Sequence, residues 1–298
     1  MNIKTYNHEN EFDRVGDFLI ETYRPGDTFA NWLQPRWEYM HFHPQIKETN
    51  LEKIGIFEDE GKIVGVVHHE HAERQAYFQL RLGYEHIKAE MFAYAEDNFQ
   101  GISQSTGKLI RALFINDFDT TLTQLAQDSG YERWVEFAEE KSRYILDKPV
   151  PKMALPDGFH LQSLADEVDL RKINQVLWRG FNHPGPPPED EIPGRREVMQ
   201  APNFCKELTI VVVAPDGNYV SYSGIWVVPE NRVAYVEPVA TDPDYRRMGL
   251  GKAAVLECLR RAAALGAEVA WVGSGLEFYK AVGFETMFAA YPWVKVLE

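Results

Sequence analysis

Arg246-Arg247-Met248-Gly249-Leu250-Gly251-Lys252 follows a run, Val233 to Thr241, that reads as a buried strand, and a helix pattern starts at Gly249. The order is strand, short turn, then a helix start carrying two glycines and three cations. Such a corner is suited to an anion. The first N–H groups of a helix have no internal acceptor, the helix dipole is positive there, and glycine lets a polyphosphate reach the main chain. A diphosphate-bearing ligand is therefore expected near residue 250.

Working outward, Val255, Leu256, Leu259, Ala262 and Ala263 recur at three-to-four spacing, the face of a helix lying on a sheet. Upstream, Thr209–Val213 and Tyr219–Val228 read as strands joined by the turn Ala214-Pro215-Asp216-Gly217, and Glu268–Gly273 reads as a strand after the helix. The same order recurs earlier, with strands at Lys53–Phe57, Lys62–Val67, Gln75–Leu82 and Leu109–Ile115 and a helix over Glu85–Asn98. Each half opens with a short strand and a helix, and each closes a short helix with glycine and an aromatic, Gly130-Tyr131 and Gly283-Phe284. Between them, residues 147–157 hold three prolines and no periodicity, so they read as a linker between domains at 1–146 and 158–298.

The chain has 298 residues, 45% of them hydrophobic, and a net charge of −14. That charge argues against a nucleic-acid or anionic-membrane partner, and the one basic patch, Arg246 to Arg261, suits a single polyphosphate. No stretch approaches a membrane span and Met1–Thr5 lacks a secretory core, so a cytoplasmic protein is expected, monomer or homodimer. Cys205 and Cys258 stand far apart and imply neither a disulfide framework nor a metal site. His69 and His71 have the spacing of one strand face, but nothing completes a metal site around them, and a satisfied set of histidines is the expectation.

Two runs carry a family resemblance. Glu237 to Gly251 is similar to the coenzyme A motif of GNAT N-acetyltransferases, whose core R-x-x-G-x-G/A falls on Arg246, Gly249 and Gly251. Glu277 to Phe284 resembles that family's F-Y-x-x-x-G-F segment. The chain as a whole looks like a tandem-GNAT protein. The resemblance implies an α/β fold of two tandem GNAT-like domains, each a mixed, mostly antiparallel twisted sheet flanked by helices. It implies an intact second copy and a degenerate first one. Around Gly83 there is no R-x-x-G-x-G, and Ala126 stands where the second half has Tyr279.

The activity implied by the resemblance is N-acetyl transfer, in which the acetyl group of acetyl-CoA moves directly to a small-molecule primary amine in a ternary complex, with no metal. The amides of Met248, Gly249, Leu250, Gly251 and Lys252 would hold the pyrophosphate, with charge from Arg246, Arg247 and Lys252. Val239, Ala240 and Thr241 would carry the pantetheine and thioester. Pro238 has no N–H, so it marks either a bulge or an edge strand. Tyr279, a phenol protonated at neutral pH, is the candidate general acid. Glu237 is either a base acting through water or a binder of the ammonium group. Ser274 either contacts pantetheine or caps a helix. The loop Asn182–Glu191 is a candidate wall of the acceptor site, and Trp178 and Trp293 are candidate lining. The competing reading is a non-catalytic acyl-CoA-binding or sensing protein. A nucleotide enzyme is disfavoured because neither G-x-x-x-x-G-K-S/T nor G-x-G-x-x-G is present.

Overall fold

The computed structural model describes residues 1–25 and 31–297. In chain order its elements begin β1 (Asn2–Thr5), α1 (His8–Thr22), α2 (Gln34–Phe42), β2 (Gly55–Asp59), β3 (Lys62–His68), β4 (Gln75–Leu80) and α3 (Lys88–Asn98). Then come β5 (Gly101–Ile102), β6 (Leu109–Asn116), α4 (Thr120–Asp128), β7 (Glu132–Arg133), β8 (Glu139–Ile145), β9 (His160–Ser163) and α5 (Leu170–Gly180). The chain ends with α6 (Ile192–Val198), β10 (Ile210–Val213), β11 (Tyr219–Val228), β12 (Val233–Thr241), α7 (Leu250–Ala264), β13 (Val269–Val272), α8 (Glu277–Val282) and β14 (Glu285–Val296). Among the described residues, no helix is long and apolar enough to cross a membrane.

The chain divides into two compact units. The first is Met1–His41, Gln45–Lys141 and Met287–Glu298; the second is Phe42–Pro44 and Ser142–Thr286. The sheet of the first runs β1-β2-β3-β4-β6-β14, and that of the second β9-β10-β11-β12-β13-β8. Each is antiparallel except for one parallel pair, β4 with β6 and β12 with β13. In the second unit Val255, Leu256, Leu259 and Ala262 of α7 pack on one face with Ile225, Ala234 and Ala270. The other face packs Ile173, Val176 and Leu177 of α5 against Val211, Tyr222 and Ala240. These rows are the helical and strand periodicities seen in the sequence.

The partition differs from a cut at residues 147–157. In the first unit β14 lies antiparallel to β6 over Ala290–Val296, and in the second β8 lies antiparallel to β13 over Ser142–Ile145. Each sheet thus ends on a strand drawn from beyond the expected boundary. Residues 147–157 contain no helix or strand, yet Val150 and Leu155 pack into the second core.

Candidate active site

The expected strand Val233–Thr241 forms as β12, and its pairing makes the site. It runs beside β13 only from Val233 to Tyr235, then continues to Thr241 paired with β11 alone. The two parallel strands therefore part after Tyr235 and Trp271. On the β11 side the register passes from Ile225↔Val236 to Ser223↔Val239, so β12 holds one extra residue at Glu237-Pro238. Of the two readings of Pro238, the bulge is the one found; β12 has a neighbour on each side of its first half. The Trp226 indole donates to the Glu237 carbonyl at 2.9 Å. Gly224 makes room for it, since a Cβ there would lie 2.5 Å from that oxygen.

At the end of β12 the chain turns through Pro243–Tyr245, where the Asp242 carboxylate accepts the Asp244 N–H at 3.0 Å. Arg247 (φ 63°) and Gly249 (φ 81°) take left-handed conformations, and Gly249 caps α7 with no side-chain hydrogen bond. The first helical bond runs from Ala253 N–H to the Gly249 carbonyl at 3.0 Å, which leaves Leu250, Gly251 and Lys252 without acceptors inside the helix. A Cβ on Gly251 would come within 2.7 Å of Thr241 Oγ1 and 3.3 Å of the Phe278 ring. That glycine lets the helix start press against both the strand end and α8.

The cations of the turn do more local work than their pattern suggests. Arg246 donates to the carbonyls of Thr241 (3.1 Å) and Gly180 (2.8 Å) and to Asn182 Oδ1 (2.9 Å). It latches the turn to the end of α5. Lys252 Nζ donates to the Ala281 carbonyl at 2.5 Å. Arg246 and Arg247 are both exposed, as is Met248, and Lys252 is half-buried. Sequence reading missed a second arginine: Arg179 forks onto Asp242 (2.5 and 3.0 Å) and reaches Asp244 (2.6 Å). Burial opposes a charge on Asp242, but the Arg179 hydrogen bonds and the Asp244 N–H outweigh it and hold the carboxyl below its usual range. The dipeptide Asp242-Pro243, a turn-initiating pair, was the available signal.

Tyr279 lies buried on α8, with ring contacts to Phe278 (5.0 Å) and Phe284 (5.7 Å). Burial first, and the Glu237 carboxylate second, push its phenol above the usual tyrosine range. The acid candidate and the base candidate thus feel one another. Ser274 Oγ accepts the Leu276 N–H at 3.3 Å, just before α8. The loop from Asn182 is pinned to α5: Trp178 Nε1 donates to the Gly185 carbonyl at 3.0 Å and stacks on His183 at 4.4 Å. Trp293 does not line this site. It is in the core of the first unit, with Phe92, Leu113 and Tyr131.

Gln75 of the first unit and Val233 of the second hold equivalent places, each opening its parallel ladder, so Gln79 stands where Glu237 stands. Gln79 Oε1 accepts the Trp32 N–H at 2.7 Å and its amide meets His68 Nε2 at 2.9 Å. Where β4 and β6 part, the Asn31 carboxamide takes both the N–H and the carbonyl of Leu80, each at 2.9 Å. Beyond it is a cavity of about 210 Å³ lined by Phe78, Met91 and Leu122 and bridged by a Lys88–Asp119 ion pair of 2.7 Å. His69 and His71 lie beyond the end of β3 and share no strand face, contrary to their spacing. Among the described residues, no group of three or more His, Cys, Asp or Glu could hold a metal ion.

These features define an α/β protein with a splayed parallel strand pair and an uncapped helix start at its mouth. Residues 170–284 match the model of the Acetyltransferase (GNAT) family. The chain is similar to an uncharacterized N-acetyltransferase of Methanocaldococcus jannaschii, 29% identical over 92 residues, which are 29% of this chain and 38% of that protein. Its fold resembles that of a GCN5-related N-acetyltransferase from Sphaerobacter thermophilus (TM-score 0.65, 12% identity, covering 99% of this chain and 95% of that one). It likewise resembles a tandem GNAT protein from the clavulanic acid biosynthesis pathway (TM-score 0.65, 14% identity, covering 99% and 98%).

Proposed function

We propose that the second unit transfers the acetyl group of acetyl-CoA to a primary amine of a small molecule, and that the first unit is a degenerate copy without a coenzyme site. One observation carries this reading: the uncapped α7 start, with Gly249 left-handed at its mouth, opens where β12 leaves β13 and where Tyr279 and Glu237 are electrostatically coupled. In this reading the amides from Gly249 to Lys252 bind the pyrophosphate, with charge from the exposed Arg247, while Arg246 and Lys252, through their hydrogen bonds to the chain, shape the turn. The segment Val239–Thr241 binds the pantetheine arm.

The amine nitrogen attacks the thioester carbon, and the carbonyl oxygen takes up the negative charge. Glu237 receives the surplus amine proton through water, or holds the ammonium before that proton leaves. As the C–S bond breaks, Tyr279 gives its proton to the departing sulfur. A phenol with a raised pKa stays protonated across the working pH range, so it serves as donor and not as base. The first unit lacks this pairing, with Gln79 and Ala126 at the two positions.

Gly249→Asp tests the coenzyme site. Aspartate tolerates the left-handed conformation better than most residues, and its carboxylate would sit where the diphosphate belongs. Acetyl-CoA affinity in calorimetry should fall at least about tenfold with a near-normal melting curve; unchanged affinity would displace the pyrophosphate from this corner. Thiol release across an amine panel tests the transfer. Tight acetyl-CoA binding with no release from any amine would replace the enzyme reading by the acyl-CoA-binding one.

A further inference from the structure

The register of the second sheet lines up one row of side chains opposite α7. Trp226 pairs with Tyr235, Tyr235 with Trp271, and Trp271 with Arg143. Directly paired residues share a sheet face, and the alternate row, Ala234, Ala270 and Tyr144, packs in the α7 core. The row of three aromatics ending in an arginine therefore looks away from α7. Trp226 is covered by Phe204, with ring centroids 5.7 Å apart. Glu237 follows Tyr235 by two residues on β12, where that strand parts from β13.

Arg143 is the unusual member. It is half-buried, its Nε is sealed from solvent, and that atom has no hydrogen-bond partner. Among the described residues no carboxylate forms an ion pair with its guanidinium. The neighbouring cation on the same strand face, Lys141, is paired with Glu139 at 2.9 Å. A sealed N–H without an acceptor is costly, and native proteins keep such a group where a partner arrives. Arginine is also the side chain best shaped to grip a carboxylate or phosphate in two places.

Resting on the transfer reading above, we infer that Arg143 binds an anionic group of the acceptor, so that the substrate is an amine that also carries a carboxylate or phosphate, its body lying along the half-buried Trp271. Arg143 stands two strand spacings, about 10 Å, across the sheet from β12. Long side chains set that far apart on the sheet would span a molecule of amino-acid or dipeptide size. A polyamine or an uncharged amine would leave the guanidinium unpaired. Arg143 is thus a specificity residue and takes no part in proton transfer.

The test uses matched pairs: L-phenylalanine and L-leucine with their amides, and phosphoethanolamine with ethanolamine. Acceptor KM is read by thiol release, and binding is read separately by calorimetry on the coenzyme-A-loaded protein. The anionic member of at least one pair should be favoured about ten- to hundredfold, and the favoured pair tells carboxylate from phosphate. Arg143→Gln should erase that preference, leaving the neutral members and the acetyl-CoA KM unchanged. Arg143→Leu should melt close to the parent, because it removes a sealed N–H that has no acceptor. No preference in any pair, or an equal loss for anionic and neutral members in Arg143→Gln, overturns the assignment. If no amine is acetylated but the anionic member still binds the parent and not Arg143→Gln, the transfer reading fails and this one stands.

Discussion

Acidification should weaken the first unit through its buried imidazoles before any carboxylate titrates; His69 and His71 are shifted down by burial, and His41 and His68 further still. His41 Nδ1 donates to the Trp37 carbonyl at 2.8 Å while its Nε2 accepts the Tyr6 hydroxyl at 3.0 Å. His68 Nδ1 donates to the His69 carbonyl at 2.8 Å, and its Nε2 accepts from Gln79, whose own oxygen is held by the Trp32 N–H. Both rings are satisfied only when neutral, and burial pulls each pKa down to about 3. An unfolded histidine titrates near 6.5, so below that pH the unfolded chain takes up a proton that the folded one refuses. Stability is therefore full above about pH 7 and declines as pH falls toward the folded value. From pH 7.5 to 5.5 each ring costs about 1.4 kcal/mol, or about 2.7 kcal/mol for the pair. For a domain of this size that is a fall of roughly 5–11 °C in melting temperature. Unfolded carboxylates titrate near 4, so this window isolates the histidines. Melting curves of parent and His68→Gln at the two pH values provide the assay, and the variant should lose about 1.4 kcal/mol less on acidification. An identical pH slope in the two proteins would refute the account of His68 as an obligately neutral ring.

Tyr279→Phe should lower kcat by about 10²- to 10⁴-fold while leaving acetyl-CoA affinity intact; turnover within a few-fold of the parent would remove the phenol from the proton path. Gly251→Ala places a methyl 2.7 Å from Thr241 Oγ1 and should cost about 1–3 kcal/mol in denaturant unfolding, with acetyl-CoA affinity falling in parallel. A neutral effect would show that the helix start is not pressed against β12. Arg179→Ala leaves the buried Asp242 carboxylate without its fork and should loosen the turn, seen as faster amide exchange from Asp242 to Gly249 and a higher acetyl-CoA KM; parent-like exchange there would contradict it. A fragment of residues 147–298 lacks β8, so the apolar edge of β13 is bare and Tyr144 no longer covers Phe284. It should aggregate where residues 142–298 are better behaved, and a monodisperse 147–298 with the parent's melting point would show that β8 is dispensable.

Local chemistry was readable wherever a period and a terminator coincide. β12 has the bounds expected from its buried run, and α7 starts within a residue of Gly249, which takes left-handed backbone. Pro238 narrowed its place to a bulge or an edge strand, and the neighbours of β12 decide for the bulge. Partnerships between distant residues were not readable. Residues 285–296 form a twelve-residue strand that the sequence reading leaves unassigned, and a strand pattern cannot say which sheet it joins. Trp293 followed that uncertainty: close to the site motifs in sequence, it is a core residue of the first unit. The arginines show the same limit. The motif placed Arg246 at the correct turn, but whether its guanidinium faces a ligand or the Thr241 and Gly180 carbonyls depends on α5, whose end lies some sixty residues upstream. Those carbonyls come within reach because a Cβ at Gly180 would lie only 2.6 Å from that of Ala240, so glycine is what lets α5 close on β12. The cation that defines the motif is thus spent on building the corner, and the phosphate-binding capacity assigned to that corner falls to the backbone amides behind it.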